Sequence, residues 1–224
     1  MRSLTALTLL ALLAALPAAV SAAPIFSFVV PQASYTVNAG SSVSVPIYLQ
    51  EFAAADDSDS LLSSHDGLAT AGVEVSQSAS PLVTISAVTA NTATGVPSAF
   101  DPPAGLSALP STDVTLQLSD DFSRPDGTNV PPVGGLRQIL LGTFTFSAAA
   151  AAAGPVTFAI ADPGATTDTL LFSDLTPLDA QIAATTVKID VQPAPEPSAA
   201  LLLVAALPAL LLRRRPPEKT GVVG

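Results

Sequence analysis

The sequence contains no cysteine and no tryptophan, and it has a single histidine. Without thiols it can form no disulfide framework, no thiolate zinc site, no CxxC redox pair and no cysteine nucleophile. Positive charge is also scarce: eight Lys and Arg stand against eighteen Asp and Glu, for a net charge of −10. A nucleic-acid partner is therefore not expected, because such binding needs a basic surface that displaces condensed counterions. Charged residues make up only 12% of the chain and hydrophobic residues 49%. No Gly-x-Ser-x-Gly nucleophile elbow occurs.

What is present sits first at the two ends. Arg2 is followed by an apolar run from Leu4 to Leu16, then by Pro17 and small residues. One charge, a short apolar core and a small-x-small site form the pattern of a secretory signal peptide. Val20-Ser21-Ala22 fits the cleavage site, so residues 1–22 are expected to be removed by signal peptidase before Ala23. Near the other end, Ser198 to Leu212 is a second apolar run. As a helix it would reach roughly 22 Å, short of a hydrocarbon core of about 30 Å, a mismatch that flanking residues and local thinning can cover. Arg213, Arg214 and Arg215 follow at once, and a cationic cluster after an apolar helix stays on the cytoplasmic side. The body of the protein is then expected on the periplasmic side.

Gln192-Pro193-Ala194-Pro195-Glu196-Pro197-Ser198 precedes that run. Alternating prolines hold a backbone extended and semi-rigid. The order Pro195-Glu196-Pro197, apolar helix, Arg213-Arg214-Arg215 resembles the PEP-CTERM sorting signal of Gram-negative bacteria. The resemblance implies that a membrane-embedded transpeptidase, exosortase, recognises Pro195, Glu196 and Pro197 while Arg213, Arg214 and Arg215 hold the tail. It also implies passage through the inner membrane to the cell surface or extracellular matrix, in species that make exopolysaccharide and biofilm. Residues 192–224 are assigned to this signal and 23–191 to the exported domain.

The exported domain carries Arg124, Arg137 and Lys188 against sixteen acids. Its pattern has period two. Val43, Val45, Ile47 and Leu49 alternate with Ser42, Ser44, Pro46 and Tyr48, which reads as a half-buried strand. Pro46 lacks a donor and points to an edge strand or a bulge. Similar runs are 26–30, 72–76, 82–88, 114–118, 139–146, 156–160, 169–172 and 185–191. They are rich in Val, Ile, Thr and Phe and separated by Pro, Gly, Asp and Ser. About nine short antiparallel strands predict an all-β sandwich or jelly roll. Leu140, Phe144 and Phe146 fall on one face of their strand by alternation, and all nine Phe are expected in the core. Ala148 to Ala153 reads as a connection between two late strands. The text from Tyr35 to Leu49, from Gly67 to Val75, and from Leu140 to Phe146 followed by Gly154 to Phe158 resembles a cohesin-like module. That family is a nine-stranded jelly roll first known from cellulosomes.

No residue set is assigned to catalysis, to a cofactor or to a metal. His65 lies in Ser63-Ser64-His65-Asp66-Gly67, where adjacency provides none of a triad's geometry, and it reads as a solvated loop residue. Glu51 and Glu74 are the domain's only glutamates; a glycosidase needs two carboxyls across a cleft, and Tyr35 and Tyr48 supply few sugar platforms. Asp56-Asp57-Ser58-Asp59, Asp120-Asp121 and Asp126-Gly127-Thr128-Asn129 are oxygen-rich loops of the kind calcium takes, but none matches an EF-hand and they read as solvated turns. The expected function is that of an exported, non-enzymatic surface or matrix protein, structural or adhesive, meeting exopolysaccharide or another surface protein. The alternatives are a carbohydrate-binding module and a hydrolase built on His65.

Overall fold

A computed structural model describes residues 25–52, 59–77, 82–122, 124–134, 136–164 and 168–194. The expected signal peptide (1–22), Asp56-Asp57-Ser58, the expected apolar helix (198–212) and the residues expected to form a sorting signal, Pro195, Glu196, Pro197, Arg213, Arg214 and Arg215, lie outside the described residues. Among the described residues no helix is long and apolar enough to cross a membrane.

Among the described residues, twelve strands form two sheets. One sheet runs in the order β11 (Ile182–Ala183), β1 (Phe26–Val29), β3 (Ser42–Phe52), β8 (Leu136–Ala148) and β5 (Val83–Ala90). The other runs in the order β2 (Ser34–Asn38), β12 (Thr185–Gln192), β9 (Gly154–Ala161), β4 (Leu68–Ser76), β7 (Asp113–Ser119) and β6 (Asp101–Leu106), with β10 (Leu170–Leu171) also paired to β4. A four-residue helix α1 (Leu61–Ser64) leads into β4. The sheets face each other across one continuous apolar core. Phe146 of β8 meets Phe158 of β9 edge-on, ring centroids 4.7 Å apart, which joins the two layers.

The all-β sandwich expected from the period-two pattern is what forms, with three differences. The nine expected strands are twelve. β2, β6 and β11 escape a pattern search because β2 has one buried residue, Val37, β6 reads Asp-Pro-Pro-Ala-Gly-Leu like a turn, and β11 has two residues. The pairing is not wholly antiparallel: β2 runs parallel to β12 and β1 to β11. Finally, of the two expectations for Pro46 the edge strand does not hold, and a bulge lies beside it. β3 lies between β1 and β8, but its pairing with β1 ends at Tyr48, and a bulge against β8 follows at Ile47/Tyr48. The residue without a donor thus sits where β3 has one partner only.

That bulge also corrects the predicted face. Ile47 pairs Gly142 and Tyr48 pairs Leu140, so Leu141 is the extra residue. Alternation restarts there: Ile139 and Leu141 are buried before it, Phe144 and Phe146 after it, and Leu140 turns outward. Gly142 fits beside the bulge because a Cβ would lie 3.0 Å from a Leu116 methyl of the facing sheet. Of the nine Phe, six are fully buried, Phe172 is half-buried, and Phe52 and Phe122 are exposed at 53% and 54%.

The strands give the sandwich two poles. Ser42 pairs Ser147, Val191 pairs Gly154, and Ala39 N–H donates to Gln192 O, so the chain leaves β12 at one pole. Phe52 pairs Leu136 at the other. The 13 residues of β8 connect the poles over roughly 40 Å at strand rise.

Candidate binding surfaces

The far pole is organised by a buried carboxylate. Glu51 is wholly buried and accepts from Ser60 Oγ (2.7 Å), Leu61 N–H (2.6 Å) and Leu62 N–H (3.3 Å), which starts α1. Arg137 Nε lies 3.9 Å from Glu51, and its other nitrogens donate to Asn129 Oδ1 (2.6 Å), Val130 O (2.6 Å) and Ser63 Oγ. Two segments, 60–63 and 129–130, are thereby fixed by one ion pair between β3 and β8. Glu74 faces outward on β4 in the other sheet, so the two glutamates are not brought together across a cleft.

His65 is not a solvated residue. It is half-buried at the C-terminus of α1, with Nδ1 3.0 Å from Leu61 O and 2.8 Å from Ser64 Oγ, and Nε2 3.6 Å from Asp174. Nδ1 and the Ser64 hydroxyl both face the Leu61 carbonyl, so they close the helix end. Asp174 is held below the usual carboxylate range by the Thr176 hydroxyl and N–H. The resemblance to a Ser-His-Asp row is therefore one of composition; Ser64 lines none of the cavities described below.

Among the described residues no group of three or more His, Asp and Glu is arranged to hold a metal. In the loop after β7, Asp120 is buried and already has a cation: Arg124 pairs with it, and Thr128 Oγ1 donates to it at 3.2 Å. Burial pushes its carboxyl up, against the pull of Arg124. Asp121 N–H donates to Asp101 Oδ2 (3.0 Å), and Asn129 is engaged by Arg137. These loops are internally tied turns.

A different acidic group was not visible in sequence. The loop after β9 lies on the outer face of β4, over Gly72, where a Cβ would meet Asp168 Cβ at 2.8 Å. Asp162 Oδ1 accepts from Gly164 N–H, Asp168 Oδ1 from Gln117 Nε2 and Asp179 Oδ1 from Thr169 N–H. The three Oδ2 atoms are buried without partners. Burial first, then the charges of Asp179 and Asp168, push the Asp162 carboxyl up to about 6, against the pull of the Gly164 N–H. A proton there turns a repelling pair into a hydrogen bond.

Two surfaces offer room. The outer face of β4, β7 and β6 holds a shallow polar cavity of about 240 Å³ between Thr70, Gly105, Gln117, Ser119 and Asp168. On the other sheet, hollows of about 580 and 400 Å³ share Tyr48 and Gln138; Val130, Pro131, Val133 and Leu136 complete the larger, and Val29, Val30, Pro31 and Gln50 the smaller. The sequence placed Tyr48 on a strand but could not show that loop 130–133 would build a wall beside it.

No protein-family profile matches the sequence, and no curated protein matches it. Solved structures do. CaCohA2 in complex with CaDoc0917 is similar at a TM-score of 0.51 and 13% identity, over 75% of this chain and 99% of that one. CaCohA2 from Clostridium acetobutylicum in solution is similar at 0.50 and 14%, over 76% and 92%. The third cohesin of ScaC from Acetivibrio cellulolyticus, solved with the ScaB dockerin, gives 0.49 and 14%, over 74% and 98%. At such identities the likeness is one of fold: the described domain is a cohesin-like β-sandwich.

Proposed function

We propose that this chain is an exported, non-enzymatic surface module that binds another protein, carried to the cell surface by an N-terminal signal peptide and a C-terminal PEP-CTERM signal. The observation that carries the binding half is the likeness to CaCohA2, a fold solved in complex with a second protein. The export half rests on the sequence of the two ends, with exosortase and signal peptidase as processing partners. No catalytic set is proposed, since His65 and Ser64 are engaged at the C-terminal end of α1 and Glu51 at its start.

Sugar binding is the second reading, and one feature favours it: Tyr48 lines a groove beside Gln50 and Gln138, which are hydrogen-bonded at 2.7 Å. An aromatic face beside polar amides is a combination that ligand sites use to hold and orient a partner. Native mass spectrometry of surface extracts against glycan-array binding separates the two. We expect a defined heteromeric protein complex and no affinity for the strain's exopolysaccharide at about millimolar concentration, a free energy near −4 kcal/mol. Glycan binding without a protein complex would replace the first reading by the second.

A further inference from the structure

The exposed apolar side chains are distributed unevenly. Among the described residues, six large hydrophobic side chains are exposed: Phe52, Val96, Leu106, Phe122, Val133 and Leu175. All but Leu106 lie at the far pole, opposite the end where the chain leaves β12. Two of them form one patch with Phe172. The rings of Phe122 and Phe172 stack with centroids 5.0 Å apart, and Leu175 follows in the turn that its N–H closes onto Leu171 O. Phe122 and Leu175 both have left-handed backbones, φ 58° and 56°. For bulky residues this conformation costs on the order of 1 kcal/mol or more each. The fold thus holds two apolar side chains outward in a conformation that Asn or Gly would adopt more easily.

The rim of the patch is acidic. Asp66, Asp121, Asp126 and Asp174 are all exposed around it. The cations of this pole are committed inward, Arg124 to Asp120 and Arg137 to the Glu51 network, and His65 is half-buried against Asp174. An apolar centre inside a polar rim is the anatomy of a protein interface. We infer that the Phe122–Phe172–Leu175 patch is the docking surface for a separate protein whose contacting face is apolar at its centre and rich in Lys or Arg at its edge. The inference deepens the protein-binding reading above and rests on it. A second copy would bring the same acidic rim against this one, and an anionic bilayer would be repelled likewise. The chain's own residues beyond Ala194 start from the opposite pole, roughly 40 Å away.

The test uses the full chain in its own cells, with p-benzoylphenylalanine replacing Phe122, and in separate strains replacing Gln117 of β7 or Thr157 of β9, on the outer face of their sheet and away from the pole. Illumination should yield a protein adduct at position 122 whose mapped contact peptide carries Lys or Arg beside apolar residues. Leu175→Asn keeps the left-handed backbone and should lower that adduct about tenfold, the effect of losing one interface anchor. Raising the ionic strength to about 0.5 M should lower it several-fold. An adduct to a second copy, to lipid or to an acidic peptide, or no adduct at 122, overturns the inference. A protein adduct at 117 but not at 122 overturns it while leaving the protein-binding reading standing; no protein adduct at any position removes both.

Discussion

Asp162 shows how a single side chain records a contact that no local pattern predicts. Asp162-Pro163-Gly164 reads as a turn, and it is one, but the turn lies across Gly72 of β4 and brings Asp168 and Asp179 beside it. With its carboxyl pushed up to about 6 from 3.8, the folded chain keeps a proton in that interval which the unfolded chain has released. The contribution of this group to stability therefore falls as pH rises from about 4 to 6 and is lowest above that window. Asp162→Asn retains the Oδ1 that accepts from Gly164 N–H and removes the charge. After a discount for solvent screening the gain at neutral pH is about 1 kcal/mol, or ~2–4 °C in Tm. Thermal melts followed by circular dichroism should show that gain near pH 7.5 and almost none near pH 4; an equal gain at both would mean the Asp162 carboxyl is not raised in the folded chain. The same distance from sequence explains Glu51 and His65. Their types were legible, but their partners come from segments brought near only by the closed sandwich.

Strands were the most legible level, because burying one face of a sheet forces alternation, and the runs around 43–49, 114–118 and 139–146 announce themselves. Legibility fails where alternation is interrupted. A single extra residue at Leu141 reverses which side chains face inward, so Leu140, grouped by parity with Phe144 and Phe146, lies on the opposite face. Alternation cannot reveal a bulge when both neighbours are leucine. Substitution separates the two arrangements. Leu141→Ala opens a cavity in the core and should cost about 2–5 kcal/mol, whereas Leu140→Ala, half exposed, should cost about 1 kcal/mol or less. Chemical denaturation of both variants measures the difference, and a larger cost at Leu140 would place the bulge elsewhere. β6 was lost for another reason: in it, burial is confined to Asp101, so there is no apolar stripe to read.

At the scale of the molecule, two demands are placed at opposite ends. β12 delivers Gln192 and Pro193 at the exit pole. The apolar patch and its acidic rim are at the far pole, roughly 40 Å along β8. Such separated sites share no side chains and should behave additively. The sorting reading makes this testable. If Pro195-Glu196-Pro197 is recognised by a transpeptidase, Glu196→Ala removes the only charge in the motif and should leave the full-length precursor in the membrane fraction, with the N-terminal cleavage before Ala23 unaffected. Phe122→Ser, 54% exposed and outside the core, should leave processing as in the parent chain. Cell fractionation with intact-mass measurement reads both variants in one experiment. Normal maturation of the Glu196→Ala chain would show that the motif is not being read, whereas arrest by Phe122→Ser would mean that the two poles are coupled through the sandwich rather than merely joined by it.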